Sequence, residues 1–219
     1  MGHFSIWIDL NLKNSFSNEN GFFLLYIQSN QNLKIASRLS VVTKYNVHTC
    51  FQKQPMETLK KISKTFNTNI HLMLLNTDGN LNVGMSVRTA AVMGCSKVWI
   101  VGQRLYDARP EVGAKNYIEI EKLDTIDPTT FFKQQNLQPI MLEQGGEPLE
   151  EISFKPYFSK TVCFVIGSES KGIPAEFLKD NPVVSISQYG LIRSLNMSIA
   201  AGMVVYEYLK QWQNYRMSI

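Results

Sequence analysis

The sequence has few cysteines and no long hydrophobic run. Its 219 residues include three cysteines, Cys50, Cys95 and Cys163, and no CxxC pair. Structural zinc sites and disulfide frameworks need closely spaced cysteines, so we expect a reducing compartment and no bound metal. No apolar run approaches the roughly 20 residues that span a bilayer, and no basic leader opens the chain. These absences predict a cytoplasmic protein. It should also be globular, because 44% of its residues are hydrophobic and suffice for a substantial core.

Net charge is also small, at +4, but it is unevenly distributed. Residues 1–66 contain eight Lys and Arg against three Asp and Glu, whereas the remainder is close to neutral. Phosphate neutralisation supplies most of the sequence-independent affinity of proteins for nucleic acids. A basic N-terminal segment therefore favours a polyanion-binding arm, although a solvated Lys-rich surface explains the same composition.

From residue 70 onward, short apolar runs alternate with helical patterns, which predicts an α/β fold with a parallel sheet and flanking crossover helices. The predicted strands cover residues 70–75, 98–101, 139–142, 162–166 and 183–186. One helix is predicted over 83–93, ended by Gly94, and a short one begins near Pro174. The last helix is predicted over 195–213, where five apolar residues recur at helical spacing: Leu195, Ile199, Met203, Tyr206 and Leu209.

Three short segments stand at boundaries between these predicted elements. Residues 82–88 have the sequence NVGMSVR, residues 167–173 have GSESKGI, and residues 192–198 have IRSLNMS. The carboxyl ends of parallel strands meet at one edge of a sheet, where α/β proteins bind ligands. Each segment also has an ordinary explanation, since Asn82 and Ser194 would suffice as helix caps and Gly167 as part of a tight loop. The second segment is neither a Walker A loop nor a dinucleotide-binding loop.

In this order and spacing, the three segments resemble the motifs of the SpoU/TrmH branch of the SPOUT methyltransferases. The resemblance covers residues 69–213. It implies transfer of a methyl group from S-adenosylmethionine to a ribose 2′-hydroxyl of RNA. It also implies a homodimer, a C-terminal deep trefoil knot, and neither a metal nor a membrane as partner.

The resemblance further implies roles for individual residues. The catalytic set is Asn82, Arg88, Glu169, Ser194 and Asn196, and the cofactor-binding set is Leu142, Ile166, Gly167, Ile186 and Leu195. In the family, general-base work on the ribose hydroxyl is attributed to the position of Arg88. Because the pKa of arginine exceeds about 12, that guanidinium needs assistance from a phosphate or a carboxylate. Glu169 is suited to orient either Arg88 or a substrate hydroxyl.

The residues that precede Ser194 bear on the substrate. Residues 190–193 have the sequence GLIR, which is more similar to eukaryotic enzymes that methylate the D-loop guanosine of tRNA than to bacterial 23S rRNA enzymes. Residues 187–189 are SQY, where bacterial relatives usually have Pro-Met. We therefore expect tRNA as substrate. The alternatives are a ribosomal RNA methyltransferase and a catalytically silent RNA-binding paralogue, which would be expected to lack site residues that this chain retains.

Residues 1–66 follow different patterns from the methyltransferase domain expected over 67–219. A hairpin is predicted from 4–12 and 22–27, followed by a helix over 33–45, a strand over 47–51 and a basic helix over 54–64. The helix, strand and helix resemble part of the small kink-turn-binding domain that precedes the catalytic domain in several family members. Two interpretations stay open: a separate RNA-binding domain, or a small α+β extension of the catalytic fold.

Overall fold

The computed structural model describes residues 55–65, 67–76, 81–103 and 105–218, and the chain divides into two compact units after Thr65. In the first unit, helix α1 spans Met56–Thr65. Its first turn is closed by a hydrogen bond from the Leu59 amide to the Pro55 carbonyl over 3.0 Å. The basic helix predicted over 54–64 is thereby confirmed. The predicted hairpin, the helix over 33–45 and the strand over 47–51 lie outside the described residues.

The second unit is built on a parallel sheet of six strands in the order β3-β2-β1-β5-β4-β6. The strands are β1 (Ile70–Asn76), β2 (Lys97–Gly102), β3 (Glu119–Leu123), β4 (Gln138–Pro148), β5 (Val162–Ile166) and β6 (Val183–Ser185). Its helices are α2 (Leu81–Val92), α3 (Pro128–Gln134), α4 (Ala175–Leu178) and α5 (Met197–Met217). All five predicted strands and the three predicted helices of this unit are confirmed, with shifted ends.

Strand β3 and helix α3 were not predicted, because both are short and mix polar residues with few apolar ones. Strand β3 lies at the edge of the sheet, and Lys97 on β2 pairs with Glu119 at 2.7 Å and Glu121 at 2.6 Å. Helix α3 has seven residues and depends on its cap, since the Asp127 carboxylate accepts hydrogen bonds from two backbone amides of the first turn. Charge pairing and capping, rather than apolar periodicity, specify these elements.

Both faces of the sheet are covered, as expected for parallel strands. On β1, Leu72 and Leu74 point into a core that is completed by α2 and α5, while Met73 and Leu75 point into a second core with α3 and α4. Alternate residues of one apolar strand therefore supply both cores.

Helix α5 buries a different face from the one its apolar spacing suggests. The buried residues include Ala201, Val204, Val205 and Tyr208, whereas four of the five recurring apolar residues are exposed by 41 to 59%: Leu195, Ile199, Met203 and Tyr206. Helix α5 is apolar on more than one side, so packing against α2 and β5 decides which side is buried. The described residues therefore leave an apolar side of α5 exposed. No helix among the described residues combines the length and apolarity needed to cross a bilayer.

Candidate active site

Three side chains from distant parts of the sequence meet at the carboxyl edge of the sheet. Asn82 lies in the first turn of α2, Glu169 lies three residues after β5, and Asn196 caps α5. The Asn82 amide donates a hydrogen bond to Glu169 Oε1. Asn196 Nδ2 donates to Asn82 Oδ1 at 2.8 Å and to Glu169 Oε1 at 3.2 Å. The three predicted site residues therefore form one connected cluster.

The side chains of the cluster differ in how many of their donors and acceptors are already hydrogen-bonded. Asn196 uses its amide for Asn82 and Glu169, and its Oδ1 accepts from the Ser198 amide at 2.9 Å and the Ser198 hydroxyl at 2.6 Å. An asparagine side chain offers two donors and two acceptor lone pairs, so Asn196 is saturated. Glu169 Oε1 accepts several bonds, including a long one of 3.5 Å from the Met197 amide. Its Oε2 has no partner among the described residues, and the Glu169 side chain is exposed.

The local position of Asn82 differs from both sequence interpretations. Helix α2 begins at Leu81, so Asn82 is a helical residue rather than a cap or a loop residue. Its carbonyl accepts a hydrogen bond from Ser86 Oγ at 2.8 Å. The same turn packs closely on the segment after β2, because a Cβ at Gly84 would lie 2.5 Å from the Asp107 carbonyl oxygen. A side chain at Gly84 is therefore sterically excluded.

The loop that carries Glu169 is closed on itself. The Gly172 amide donates to the Ser168 carbonyl at 2.9 Å, and the Lys171 amide donates to Ser168 Oγ at 3.2 Å. A Cβ at Gly167 would lie 2.3 Å from the Gly172 carbonyl carbon, so a side chain is excluded at Gly167, while Gly172 is favoured by its positive φ of 66°. The closed loop holds Glu169 at its tip.

Two polar residues of β4 that the sequence analysis missed hold the neighbouring segments. Glu143 Oε2 accepts a hydrogen bond from the Ile173 amide at 2.9 Å, and Gln144 Nε2 donates to the Arg193 carbonyl at 2.9 Å. Both follow directly after the apolar run of β4, where its pairing with β5 ends. Polar residues in that position were the available indication of a role.

The third segment differs in part from its predicted arrangement. Asn196 was expected inside the first turn of the last helix, but it is the N-cap residue, because its side chain accepts from the Ser198 amide. Ser194 and Leu195 are exposed, and among the described residues Ser194 forms no hydrogen bond to Asn82 or Glu169. The cap fixes Asn196 in the cluster while Ser194 remains outside it.

Arg88 lies on the solvent side of α2 and outside the hydrogen-bonded cluster. It is exposed, and no described residue pairs with its guanidinium. Glu169 contacts the two asparagines and not Arg88. The guanidinium is therefore accessible to a ligand from solvent.

Four of the five predicted cofactor-binding residues lie together at the ends of adjacent strands. Leu142 on β4 is opposite Ile166 on β5, and Gly167 follows directly. Ile186 follows β6, whose Val184 pairs with Leu142. The fifth residue, Leu195, is on the exposed segment before α5. Among the described residues, no group of three or more His, Cys, Asp or Glu is arranged to hold a metal ion.

Comparison with known proteins relates this chain to RNA methyltransferases. The model of the SpoU rRNA methylase family matches residues 69–206. The tRNA (guanosine(18)-2′-O)-methyltransferase of Escherichia coli (strain K12) is 29% identical over 141 residues, which cover 61% of this chain and 59% of that enzyme. The 23S rRNA (guanosine-2′-O-)-methyltransferase RlmB of Acinetobacter baylyi is 27% identical over 170 residues, with 72% and 67% covered. This chain thus spans less than two thirds of the E. coli relative.

Solved structures agree with this relationship. The TrmH/SpoU tRNA modifying enzyme of A. aeolicus superposes with a TM-score of 0.61 at 20% identity, over 74% of this chain and 85% of that one, which shows a shared fold. The AdoMet-bound rRNA methyltransferase of Sinorhizobium meliloti has a TM-score of 0.57 at 26% identity, over 64% of this chain and 56% of that one.

Proposed function

Because this chain belongs to the SpoU rRNA methylase family, we propose that it transfers a methyl group from S-adenosylmethionine to a ribose 2′-hydroxyl of RNA. The observation that carries the proposal is the cluster of Asn82, Glu169 and Asn196 at the carboxyl edge of the sheet. A carboxylate with one free oxygen, held rigidly beside two amides, is suited to receive a hydroxyl group.

The ends of β4, β5 and β6 fit the proposed cofactor. Leu142, Ile166 and Gly167 occupy neighbouring positions on β4 and after β5, and Ile186 follows β6. The Leu142 and Ile166 side chains are buried, so these positions would offer an adenosyl group mainly backbone hydrogen bonds beside an apolar core. When bound, S-adenosylmethionine supplies an electrophilic methyl group on its sulfonium. Glu143 and Gln144 would act by holding the two segments that border this surface.

Methylation releases the proton of the ribose hydroxyl, and this chain's residues must receive it or direct it to solvent. Glu169 Oε2 is the unpaired acceptor of the cluster and would accept a hydrogen bond from that hydroxyl. Arg88 would bind a substrate phosphate, which in turn is a better base than the guanidinium. We therefore assign orientation of the hydroxyl to Glu169 and binding of the phosphate to Arg88. Ser194 would join the site when the substrates are bound.

The proposed substrate is a guanosine of tRNA, in the D-loop. Support comes from the E. coli relative, whose name specifies guanosine 18 of tRNA, and from the GLIR sequence at 190–193. A ribosomal RNA substrate is the second candidate, favoured by the similarity to the 23S rRNA enzyme of A. baylyi. The chemistry at the ribose is the same for both.

Methyl transfer from labelled S-adenosylmethionine to unmodified tRNA and rRNA transcripts tests the proposal. We expect labelling of tRNA at a single ribose 2′-oxygen, mapped by resistance of the adjacent phosphodiester to alkali. Glu169→Gln keeps the size of the side chain but removes its charge, and should abolish labelling. Glu151→Gln removes the charge of another exposed glutamate, one that makes no hydrogen bond to the cluster, so it is the matched control and should label normally. Absence of labelling on every RNA, with cofactor and RNA both bound, would identify a silent RNA-binding paralogue instead.

A homodimer belongs to the same proposal. The exposed side of α5 presents Ile199, Met203 and Tyr206, and the segment before it presents Leu191 and Ile192, both more than 80% exposed. Large contiguous apolar surfaces of this kind favour association, and an isologous interface would cover both copies at once. Analytical ultracentrifugation should give a molecular mass twice that of the chain. The variant Met203→Asp should have the mass of a monomer. A monomeric wild type at micromolar concentration would contradict this.

The remaining parts of the proposal concern topology and the N-terminal unit. The deep trefoil knot of the family is proposed between β4 and α5 on the resemblance of the three motifs alone. Gly146, where a Cβ would lie 2.6 Å from the Val183 backbone, lies at the bulge where β4 pairs with β6. An experimentally determined structure tests the crossing directly. Residues 1–66 are proposed as a basic RNA-binding extension, in keeping with their charge.

A further inference from the structure

A surface at the far end of α5 combines exposed cations with aromatic rings. We call it the aromatic–basic patch, and it consists of Lys155, Tyr157, Lys160, Trp212, Tyr215 and Arg216. Lys155 Nζ lies 5.5 Å from the Tyr215 ring centroid, Lys160 Nζ lies 5.8 Å from the Tyr157 ring, and Arg216 Cζ lies 4.8 Å from the Trp212 ring. Three cation–aromatic pairs thus come from two short segments that are distant in sequence.

The two segments are joined by packing, so the patch has a defined shape. Phe158 contacts the Tyr215 ring at 5.3 Å and the Tyr208 ring at 5.4 Å between centroids. The Tyr208 hydroxyl donates to the Tyr157 carbonyl at 3.4 Å. Residues 155–160 are therefore held against the last turns of α5, and the rings of the patch are partly buried while its three cations are exposed.

The patch also has an uncompensated positive charge. Residues 152–161 and 210–217 contain four Lys and Arg and no Asp or Glu. One of these cations, Lys210, pairs with Glu207 at 2.8 Å. The other three, Lys155, Lys160 and Arg216, have no carboxylate partner among the described residues. A cation–aromatic pair at an exposed site stabilises a protein by about 0.5 to 1 kcal/mol and leaves the charge available.

Position along α5 separates the patch from the catalytic cluster. Trp212 and Arg216 follow Asn196 by 16 and 20 residues, which at about 1.5 Å per helical residue is roughly 24 to 30 Å. Residues 155–160 precede β5, whereas Glu169 follows it. The patch therefore lies at the amino ends of the strands and the cluster at their carboxyl ends. A nucleotide or the cofactor cannot reach both sites, but a structured RNA can.

We propose that the aromatic–basic patch binds the phosphate backbone of the RNA substrate at a distance from the methylated ribose. Arginine and lysine held on aromatic rings suit phosphates, and the exposed parts of the half-buried ring faces provide stacking surfaces for unpaired bases. The inference rests on the proposed function for the identity of the polymer. It adds an RNA contact that lies within the catalytic unit, independently of residues 1–66.

The test compares two full-length variants with the same change in charge. The patch variant is Lys155→Gln/Lys160→Gln/Arg216→Gln, and the matched control is Lys115→Gln/Lys133→Gln/Lys179→Gln, at exposed lysines elsewhere. Filter binding of an unmodified tRNA transcript is measured from 50 to 300 mM salt, with circular dichroism to verify folding. We expect the patch variant to bind about tenfold more weakly near 100 mM salt, and its salt slope to fall by roughly 0.7 to 0.9 for each lost contact. The control should stay close to wild type.

Two results would overturn the proposal: a patch variant that keeps the affinity and salt slope of wild type, or a control that loses as much as the patch variant. Methylation at saturating RNA separates this proposal from the proposed function. The patch variant should keep the maximal rate of wild type, because its changes lie far from the cluster, and lose efficiency only at low RNA concentration. If wild type binds tRNA through the patch but methylates no RNA, the proposed function fails and the patch remains.

A charge-conserving variant supplies a second readout. Tyr215→Leu removes the ring under Lys155 but leaves every cation in place. If the rings stack on bases, affinity should fall by about tenfold, or about 1.4 kcal/mol, because one base–aromatic contact is lost, while the salt slope is unchanged. An unchanged affinity would restrict the patch to phosphate contacts and overturn the stacking part.

Discussion

Asn196 donates its side-chain amide to Asn82 Oδ1 across 2.8 Å, although 114 positions separate the two residues. One is the N-cap of α5 and the other lies in the first turn of α2, so the bond joins the starting ends of two helices that pack together on one face of the sheet. Glu169 accepts from both. The cluster therefore connects the starts of α2 and α5 to the loop after β5, and the proposed function assigns a chemical role to the same atoms.

Asn196 variants should separate these two contributions. Asn196→Ala removes both the cap and the bonds to Asn82 and Glu169, and should lower the free energy of unfolding by about 1 kcal/mol or more and abolish methylation. Asn196→Asp retains the capping acceptor but places a carboxylate beside Glu169 in place of a donor. Denaturant unfolding and the labelling assay measure both effects.

The Asp variant carries a further expectation about pH. Two carboxylates in contact raise the pKa of one of them in the folded state, so the shared proton stabilises the fold at low pH and its loss destabilises the fold as pH rises. Relative to wild type, Asn196→Asp should be more stable at pH 5 than at pH 8. Equal differences at the two pH values would show that the carboxylates do not interact.

Arg88 should be required for turnover and not for folding. Its side chain is exposed and pairs with no described residue, so Arg88→Ala should change the free energy of unfolding by less than about 0.5 kcal/mol. Methylation should be abolished, while cofactor affinity stays within about tenfold, or roughly 1.4 kcal/mol, by calorimetry with S-adenosylhomocysteine. The variant Arg88→Lys keeps the positive charge but lacks the planar guanidinium, which can bind two oxygens of a phosphate at once. Normal methylation by Arg88→Ala would remove this residue from the catalytic set.

Two glycine substitutions on packed helices should have opposite effects. At Gly84 a Cβ would lie 2.5 Å from the Asp107 carbonyl oxygen, so Gly84→Ala must displace backbone and should destabilise by about 1 to 3 kcal/mol. At Gly202 of α5 the nearest atom is Thr89 Cγ2 at 3.4 Å, an ordinary contact. Gly202→Ala should therefore be neutral or stabilising by up to about 1 kcal/mol, from helix propensity. Urea unfolding of both variants measures the two free energies of unfolding. If Gly202→Ala were destabilised while Gly84→Ala was unaffected, the packing described around the two glycines would be contradicted.

His71 should make stability depend on pH. Burial, assisted by the nearby charge of Lys97, lowers the pKa of His71 to about 4, and its Nδ1 accepts a hydrogen bond from Trp99 Nε1 at 3.1 Å. The unfolded chain takes up the proton near pH 6.5, whereas the folded chain resists it until about pH 4. The contribution is therefore fully present above pH 6.5 and is lost as pH falls towards 4. His71→Gln should unfold with a shallower dependence between pH 6.5 and 4.5, and parallel curves would exclude His71 as the cause.

The charge of α1 gives a prediction for the N-terminal unit. Lys61 and Lys64 are exposed on this helix and form no ion pair among the described residues. If residues 1–66 bind RNA, Lys61→Gln/Lys64→Gln should weaken tRNA binding and lower the salt slope by roughly one unit for each contact. Lys133→Gln/Lys179→Gln is the matched control. If the two variants have identical salt slopes of tRNA binding, residues 1–66 are an extension of the fold that does not contribute to RNA affinity.

The sequence alone specified the parts of the fold that depend on apolar periodicity. The runs in β1, β2 and β5 are apolar on both faces, which only a parallel sheet covered on both sides accommodates. Strand β3 and helix α3 were not predicted from the sequence, because β3 is held by ion pairs with Lys97 and α3 by the Asp127 cap. Neither interaction has a periodic pattern in the sequence.

For the candidate site, the sequence by itself determined which segments matter, since Asn82, Glu169 and Asn196 lie in three motifs whose order and spacing are specific. Only the tertiary structure decided how they are used: Glu169 binds the two asparagines, Arg88 faces solvent, and Asn196 is a cap. The tertiary structure also decided which side of α5 is buried. The physical reason is that the deciding partners are distant along the chain: Asn82 and Glu169 are 87 residues apart and Asn82 and Asn196 are 114 apart. The local sequence around each residue carries no information about which distant partner it meets.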